Sequence, residues 1–268
     1  MSDTPSYQQI AYTIAGPVAR LSHNRPAARN AESQLLLSEL DYALARAVGD
    51  EQVRVLIFDG KGDHFSAGHD LKEAAATRAD FTVEQRYAYE ELYYFECAMR
   101  IWDCPKPTIA QVHGACIAGG FMVANMCDLV IASDDAFFSD PVCQTLGACA
   151  VEVLVHPWVM SPRKAKELLF TGRRMPAQEA FDVGMVNKVV PRANLEAETL
   201  ALANQIANAQ PFAVKLVKRS LNRALDMQGM RNSLLAHFDT HQLSHVTEAF
   251  KTARSAGLAS AIKRGKSQ

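Results

Sequence analysis

Apolar residues along this chain follow two rhythms. Val53 to Phe58, Thr108 to Val112 and Asp128 to Ala132 are short and almost continuously hydrophobic. Runs of that length predict strands buried on both faces, as in a parallel sheet. Two further strands open the chain, Gln9 to Ile14 and Pro17 to Ser22, broken by Ala15-Gly16. Between the strands the spacing turns helical. It predicts helices from Glu32 to Val48, from Val83 to Trp102, ended by Cys104-Pro105-Lys106-Pro107, and from Gly120 to Met126. Beyond about Ser161 strands almost vanish, and helices are predicted at Arg163 to Phe170, Pro176 to Asp182, Leu195 to Ala209, Pro211 to Leu225 and Met230 to Gly257. The expectation is an α/β fold of repeated βαβ or ββα units with a helical C-terminal lobe.

Composition narrows the classes. With 49% hydrophobic and 21% charged residues in 268, the chain is globular, and its net charge of −1 gives no electrostatic footprint for nucleic acid or an anionic membrane. Met1 to Tyr7 lacks the basic and apolar regions of a leader. Thr108 to Ser133 carries one formal charge, yet Gln111, His113, Asn125 and paired glycines break it into strand, turn, helix and strand, so no membrane span is expected. Six cysteines show no CxxC spacing, which suits a reducing, cytoplasmic setting.

Several chemistries drop out. Gly114 to Gly120 lacks the Lys-Ser/Thr of a P-loop, Gly60-Lys61-Gly62 lacks a third dinucleotide glycine, and no G-x-S-x-G elbow is present. His237, His241 and His245 recur every four residues, a spacing that could serve a metal. No acidic partner pattern accompanies them, so polar packing or pocket lining is the expected role and no metal site is expected. Two segments survive, Phe65-Ser66-Ala67-Gly68-His69-Asp70-Leu71-Lys72-Glu73 and His113-Gly114-Ala115-Cys116-Ile117-Ala118-Gly119-Gly120. Each ends a predicted strand, carries glycine, and enters a predicted helix. Amides so placed can hold the charge that develops on a carbonyl oxygen.

Together these segments resemble the crotonase (enoyl-CoA hydratase/isomerase) superfamily. Asn24 to Ala31 is similar to its N-R-P-x-x-x-N-A turn, and Phe65 to Glu73 to F-x-A-G-x-D-L-K-E. Ile109 to Gly120 with Met126 to Leu129, Phe170 to Met175, and Gly184 to Pro191 follow in family order. The resemblance implies a crotonase-like ββα core over residues 1–195 and a C-terminal helical trimerisation region over 196–268. It implies an acyl-CoA thioester as substrate, no separate cofactor, and a homotrimer or dimer of trimers. The oxyanion donors would be the backbone amides of His69 and Gly119. Ala28 and Ala67 would meet coenzyme A, with Arg29, Asp70, Leu71, Met122 and Val142 around the same ligand. Asp70 could equally cap the following helix. Lys263 would reach the ADP phosphates of a neighbouring subunit or stand as a solvated charge.

The family pattern breaks at its two hydratase glutamates, whose positions hold Met122 and Val142. Asp140, two residues before Val142, is the expected replacement acid/base, or else a turn cap. Glu152 and His245 are weaker candidates, with a helix-surface charge and a member of the histidine stripe as their ordinary readings. Three activities stay open: a coenzyme A-dependent lyase or isomerase, a hydrolase or C–C cleaving enzyme, and a non-catalytic acyl-CoA-binding protein.

Overall fold

The computed structural model describes residues 6–257. Its strands are β1 (Ile10–Ala15), β2 (Val18–His23), β3 (Val55–Gly60), β4 (Thr108–Val112), β5 (Ala115–Ile117), β6 (Leu129–Ser133), β7 (Phe137–Ser139), β8 (Met175–Pro176) and β9 (Lys188–Val190). Six of them form one sheet in the order β1-β2-β3-β4-β6-β9, antiparallel between β1 and β2 and parallel from there on. β5, β7 and β8 form a second, small sheet.

Side-chain alternation explains why the long runs lack polar positions. Leu56 and Phe58 of β3 point into one core with Leu21, Ala110, Val112 and Ala132. Val55 and Ile57 point the other way and join Val18, Ile109, Ile131 and Val190. Helix α1 (Gln34–Gly49), capped by the Ser33 hydroxyl, covers the first face with Leu36, Leu40, Ala43, Leu44 and Ala47 at helical spacing.

The remaining helices follow in chain order: α2 (Leu71–Thr77), α3 (Val83–Glu90), α4 (Glu96–Trp102), α5 (Gly119–Met126), α6 (Val142–Leu146), α7 (His156–Val159), α8 (Pro162–Thr171), α9 (Ala177–Asp182), α10 (Leu195–Ala207), α11 (Pro211–Met227), α12 (Met230–Ser244) and α13 (Glu248–Ser255). α10 covers the second face of the sheet through Leu195, Ala203 and Ala207. α11 is tied to the sheet edge by Lys218, whose Nζ lies 2.7 Å from Asp128; the same carboxylate accepts from the Thr108 amide at 2.7 Å.

Three expectations need correction. The helix foreseen from Val83 to Trp102 contains a π segment, Glu91–Phe95, between α3 and α4. The helix foreseen from Met230 to Gly257 is two helices, because the Thr247 side chain caps a new start by accepting from the Phe250 amide. Pro176 lies in β8, and β9 completes the large sheet in a region foreseen as nearly strand-free. The four cysteines at 97, 104, 116 and 127 are buried and free, as foreseen for reduced core thiols.

The turn after β2 is fixed by Asn30. Its side-chain oxygen accepts from the Arg25 amide at 2.9 Å, and its Nδ2 donates to the carbonyls of Lys61 and His64 at 2.9 and 2.8 Å. One fully buried side chain thus links the turn to the loop that carries the first glycine segment. Asn30→Ala leaves buried backbone groups unpaired and is expected to cost about 2–4 kcal/mol, read as a lowered urea midpoint at unchanged m-value.

Candidate active site

The two glycine segments run side by side. The Phe65 amide donates to the His113 carbonyl at 2.9 Å, the Ser66 amide to Ala115 at 3.1 Å, and the Ile117 amide back to Ser66 at 3.0 Å. Gly114 permits this approach: its φ is +55°, and a Cβ there would lie 2.2 Å from the Asp63 carbonyl oxygen. Further along, a Cβ on Gly68 would lie 3.1 Å from the Gly119 nitrogen, so the backbone preceding His69 abuts the start of α5. Among the described residues, neither the His69 nor the Gly119 amide donates to a protein acceptor. Ala118, at φ 49° and ψ −111°, holds a conformation rare for a residue with a side chain and sets the orientation of the Gly119 amide.

Glu32 stands directly behind Gly119. A Cβ on Gly119 would fall 1.9 Å from Glu32 Oε2, so any side chain there forces the carboxyl to shift. Glu32 is fully buried, and Oε2 has no hydrogen-bond partner. Burial pushes its pKa up from 4.5 to about 7, with Glu152 adding to the effect and His69 and Ser66 opposing it.

His69 opens onto a cavity of about 170 Å³ between α2, α3, α6, the 148–152 segment, α12 and α13. Glu152 lines the same cavity, with Oε2 3.3 Å from His69 Nε2 and off the line of a hydrogen bond. Burial alone would lower the His69 value; the carboxylates of Glu152, Glu32 and Glu90 overcome it and raise it to about 9. Burial likewise favours neutral Glu152, but His69 and His241 win and hold it at about 2. Tyr94, near the end of the π segment, sets its ring edge-on to His69 at 3.9 Å between centroids.

The foreseen site residues divide. Leu71 and Val142 line the cavity beside His69. Ala28 and Arg29 are exposed, and the Arg29 carbonyl accepts from the Ala67 amide at 2.9 Å, which places the turn against the first glycine segment. Asp70 caps α2 by accepting from the Lys72 and Glu73 amides and pairs with Arg25 at 2.9 Å. Met122 is packed in the core. Asp140 is fully buried and does not line the cavity; its oxygens accept from the Val142 amide at 3.2 Å and the Val151 amide at 3.1 Å. That double acceptance closes the loop that presents Val142 and Glu152. Burial raises Asp140 to about 6. Lys263 lies outside the described residues.

Glu152 is no helix-surface charge. It sits in an irregular segment, 4% exposed, amid Ala150, Val151 and Val153. A lone carboxylate inside an apolar run was the available signal. His241 lines the cavity, as the pocket-lining role of the histidine stripe anticipates, whereas Glu32 and Glu90 were missed, because nothing local in sequence reveals which polar residues the fold gathers.

Comparison with known proteins agrees with this architecture. The Enoyl-CoA hydratase/isomerase family model matches residues 13–260. The chain is 42% identical over 247 residues to Mycobacterium tuberculosis EchA13, provisionally named an enoyl-CoA hydratase, covering 86% of this chain and 78% of that one. It is also similar to a solved enoyl-CoA hydratase/isomerase from Xanthobacter autotrophicus Py2, with 38% identity, 98% coverage of both chains and a TM-score of 0.91. A solved structure from Mycobacterium smegmatis, described as a probable enoyl-CoA hydratase, is 46% identical over 88% of this chain and 94% of its own, with a TM-score of 0.84. The chain belongs to the enoyl-CoA hydratase/isomerase family and has the crotonase fold.

Two outcomes are expected at Glu32. The folded state keeps its proton up to about pH 7 while the unfolded chain loses it near 4.5, so stability falls as pH rises through that window. The loss is on the order of 3 kcal/mol; Glu32→Gln should flatten this part of a stability–pH profile measured by urea unfolding. Gly119→Ala should destabilise by about 1–3 kcal/mol through overpacking, and Glu32→Ala in the same chain should recover most of that loss in a double-mutant cycle.

Proposed function

We propose that this protein binds an acyl-CoA thioester with the carbonyl oxygen between the His69 and Gly119 amides, and transfers protons on the acyl chain through Glu152. The observation that carries this reading is the pairing of an ionised, 4% exposed Glu152 with His69, the residue that follows the Gly68 backbone abutting Gly119. Both line one cavity with the apolar Leu71 and Val142.

Under this reading the thioester oxygen gains negative charge as Cα loses a proton, and two free amides stabilise the enolate. Glu152 accepts the Cα proton, and the adjacent imidazolium of His69 balances the charge that builds on the acyl group. A single shuttling group returns the proton at a different carbon, which moves a double bond and retains the thioester. The Glu32 carboxyl behind Gly119, uncharged below about pH 7, does not oppose the enolate there. Asp140 then acts as a positioning residue, because its acceptance from Val151 fixes the backbone next to Glu152. Self-association is part of the same reading: α11 exposes Phe212, Val217, Leu221 and Met227, which supports a homotrimer or dimer of trimers.

The test is a panel of enoyl-CoA thioesters incubated with the protein and read by mass spectrometry and retention time. Unchanged mass at a new retention time is the expected result. A gain of water would indicate hydration, free coenzyme A a hydrolase or C–C cleaving enzyme, and binding without product a non-catalytic acyl-CoA-binding protein. Glu152→Gln should lower turnover by about 10²–10⁴-fold while acyl-CoA affinity changes little. Equal turnover in that variant would overturn the role given to Glu152.

A further inference from the structure

The histidine spacing on α12 meets an acidic partner that only the fold supplies. Glu90, the last residue of α3 before the π segment, faces His241 and His245 across the helix interface. Its Oε2 lies 3.5 Å from His241 Nε2 and 3.5 Å from His245 Nδ1, and the three ligand atoms all fall within 4.8 Å of one another. Donor atoms bound at about 2.0–2.1 Å to a tetrahedral ion stand roughly 3.4 Å apart, which matches both measured edges. Glu152 Oε1 lies 3.7 Å from His241 Nε2 but falls outside the cluster of three, which leaves the fourth position to solvent.

The two imidazole nitrogens turned toward Glu90 have no hydrogen-bond partner, and His241 is 3% exposed. His241 Nδ1 lies 3.2 Å from the Cys149 carbonyl, so that nitrogen carries the proton donated outward and leaves Nε2 directed into the cluster. This is the outer-shell arrangement that orients a metal-binding imidazole. Two histidines four residues apart on one helix face, with a carboxylate opposite, form a donor set suited to first-row divalent ions. His237, one turn earlier, is not part of the set: its Nε2 lies 2.8 Å from the Val151 carbonyl.

We propose that Glu90, His241 and His245 bind one divalent transition-metal ion, such as Zn²⁺ or Co²⁺, at the wall of the acyl cavity. Opposing charges limit its affinity. Arg86 lies 3.3 Å from Glu90 Oε1, and His69 is the cation beside Glu152. Gln242 Nε2 donates to Glu90 Oε2 at 2.7 Å and shares that oxygen with the ion.

The inference is independent of the catalytic reading, because its test uses no acyl-CoA. The full chain, free of any polyhistidine tag and stripped with a chelator, is titrated with Co²⁺ alone and followed by its visible d–d bands. One equivalent with a Kd of about 10 µM or tighter is expected. Competition with Zn²⁺ alone should bleach the bands. Glu90→Gln and His245→Ala should each weaken binding at least about tenfold, with circular dichroism confirming that each remains folded; His237→Ala should leave it unchanged. No saturable spectrum, or binding indifferent to both Glu90→Gln and His245→Ala, would overturn the proposal.

Discussion

The parallel pairing of Phe65 and Ser66 with the His113–Ile117 segment is the constraint on which the rest rests. It brings together two loops some fifty residues apart in sequence, and it does so through main-chain hydrogen bonds that side-chain changes leave largely untouched. Close approach then dictates composition. The Asp63 carbonyl excludes a side chain at position 114, and the Glu32 carboxyl would have to move to admit one at 119. With both loops locked, the His69 and Gly119 amides, which donate to no acceptor among the described residues, stand near the starts of α2 and α5, and His69 lines a cavity walled in part by the C-terminal helices.

Around that backbone frame the ionisable groups are unusually numerous for so dry a place. Glu32, Glu90, Glu152 and His241 are each at least nine-tenths buried, and buried charges persist only when they are paired. Glu152 and His69 satisfy that rule mutually. Glu90 does so through Arg86, Gln242 and the two histidines. Glu32 lacks such a partner and instead drifts toward its uncharged form. Glu32 therefore occupies a different protonation regime from Glu90 and Glu152, and that separation lets two of the three hold a charge while the third stays neutral.

Much of this was legible beforehand. The continuous apolar runs named β3, β4 and β6 because both sheet faces are covered, and the glycine segments marked the loops that meet. The π turn was not legible, since a wide turn leaves no local signature in Glu91 to Phe95. Nor was the break before α13, where Thr247 competes with an unbroken helical pattern. For the site, the sequence pointed to the two glycine segments that the fold brings together but not to most of the side chains gathered beside them. Asp140 drew attention through its nearness to Val142, whereas the fold turns its carboxyl inward to two amides. Glu152 gained its importance from contacts with His69 and His241, both distant in sequence.

The π segment has an architectural consequence. One surplus residue in a turn rotates everything upstream by about 100° relative to everything downstream. Ahead of it, Tyr87 and Glu90 lean against α12; behind it, Ala98, Ile101 and Trp102 pack into the sheet-side core. A single rod thereby serves two partners whose directions a regular helix would not reconcile. Removing one residue from 91–95 would straighten the rod, keep its grip on the sheet, and swing Glu90 away from the histidines.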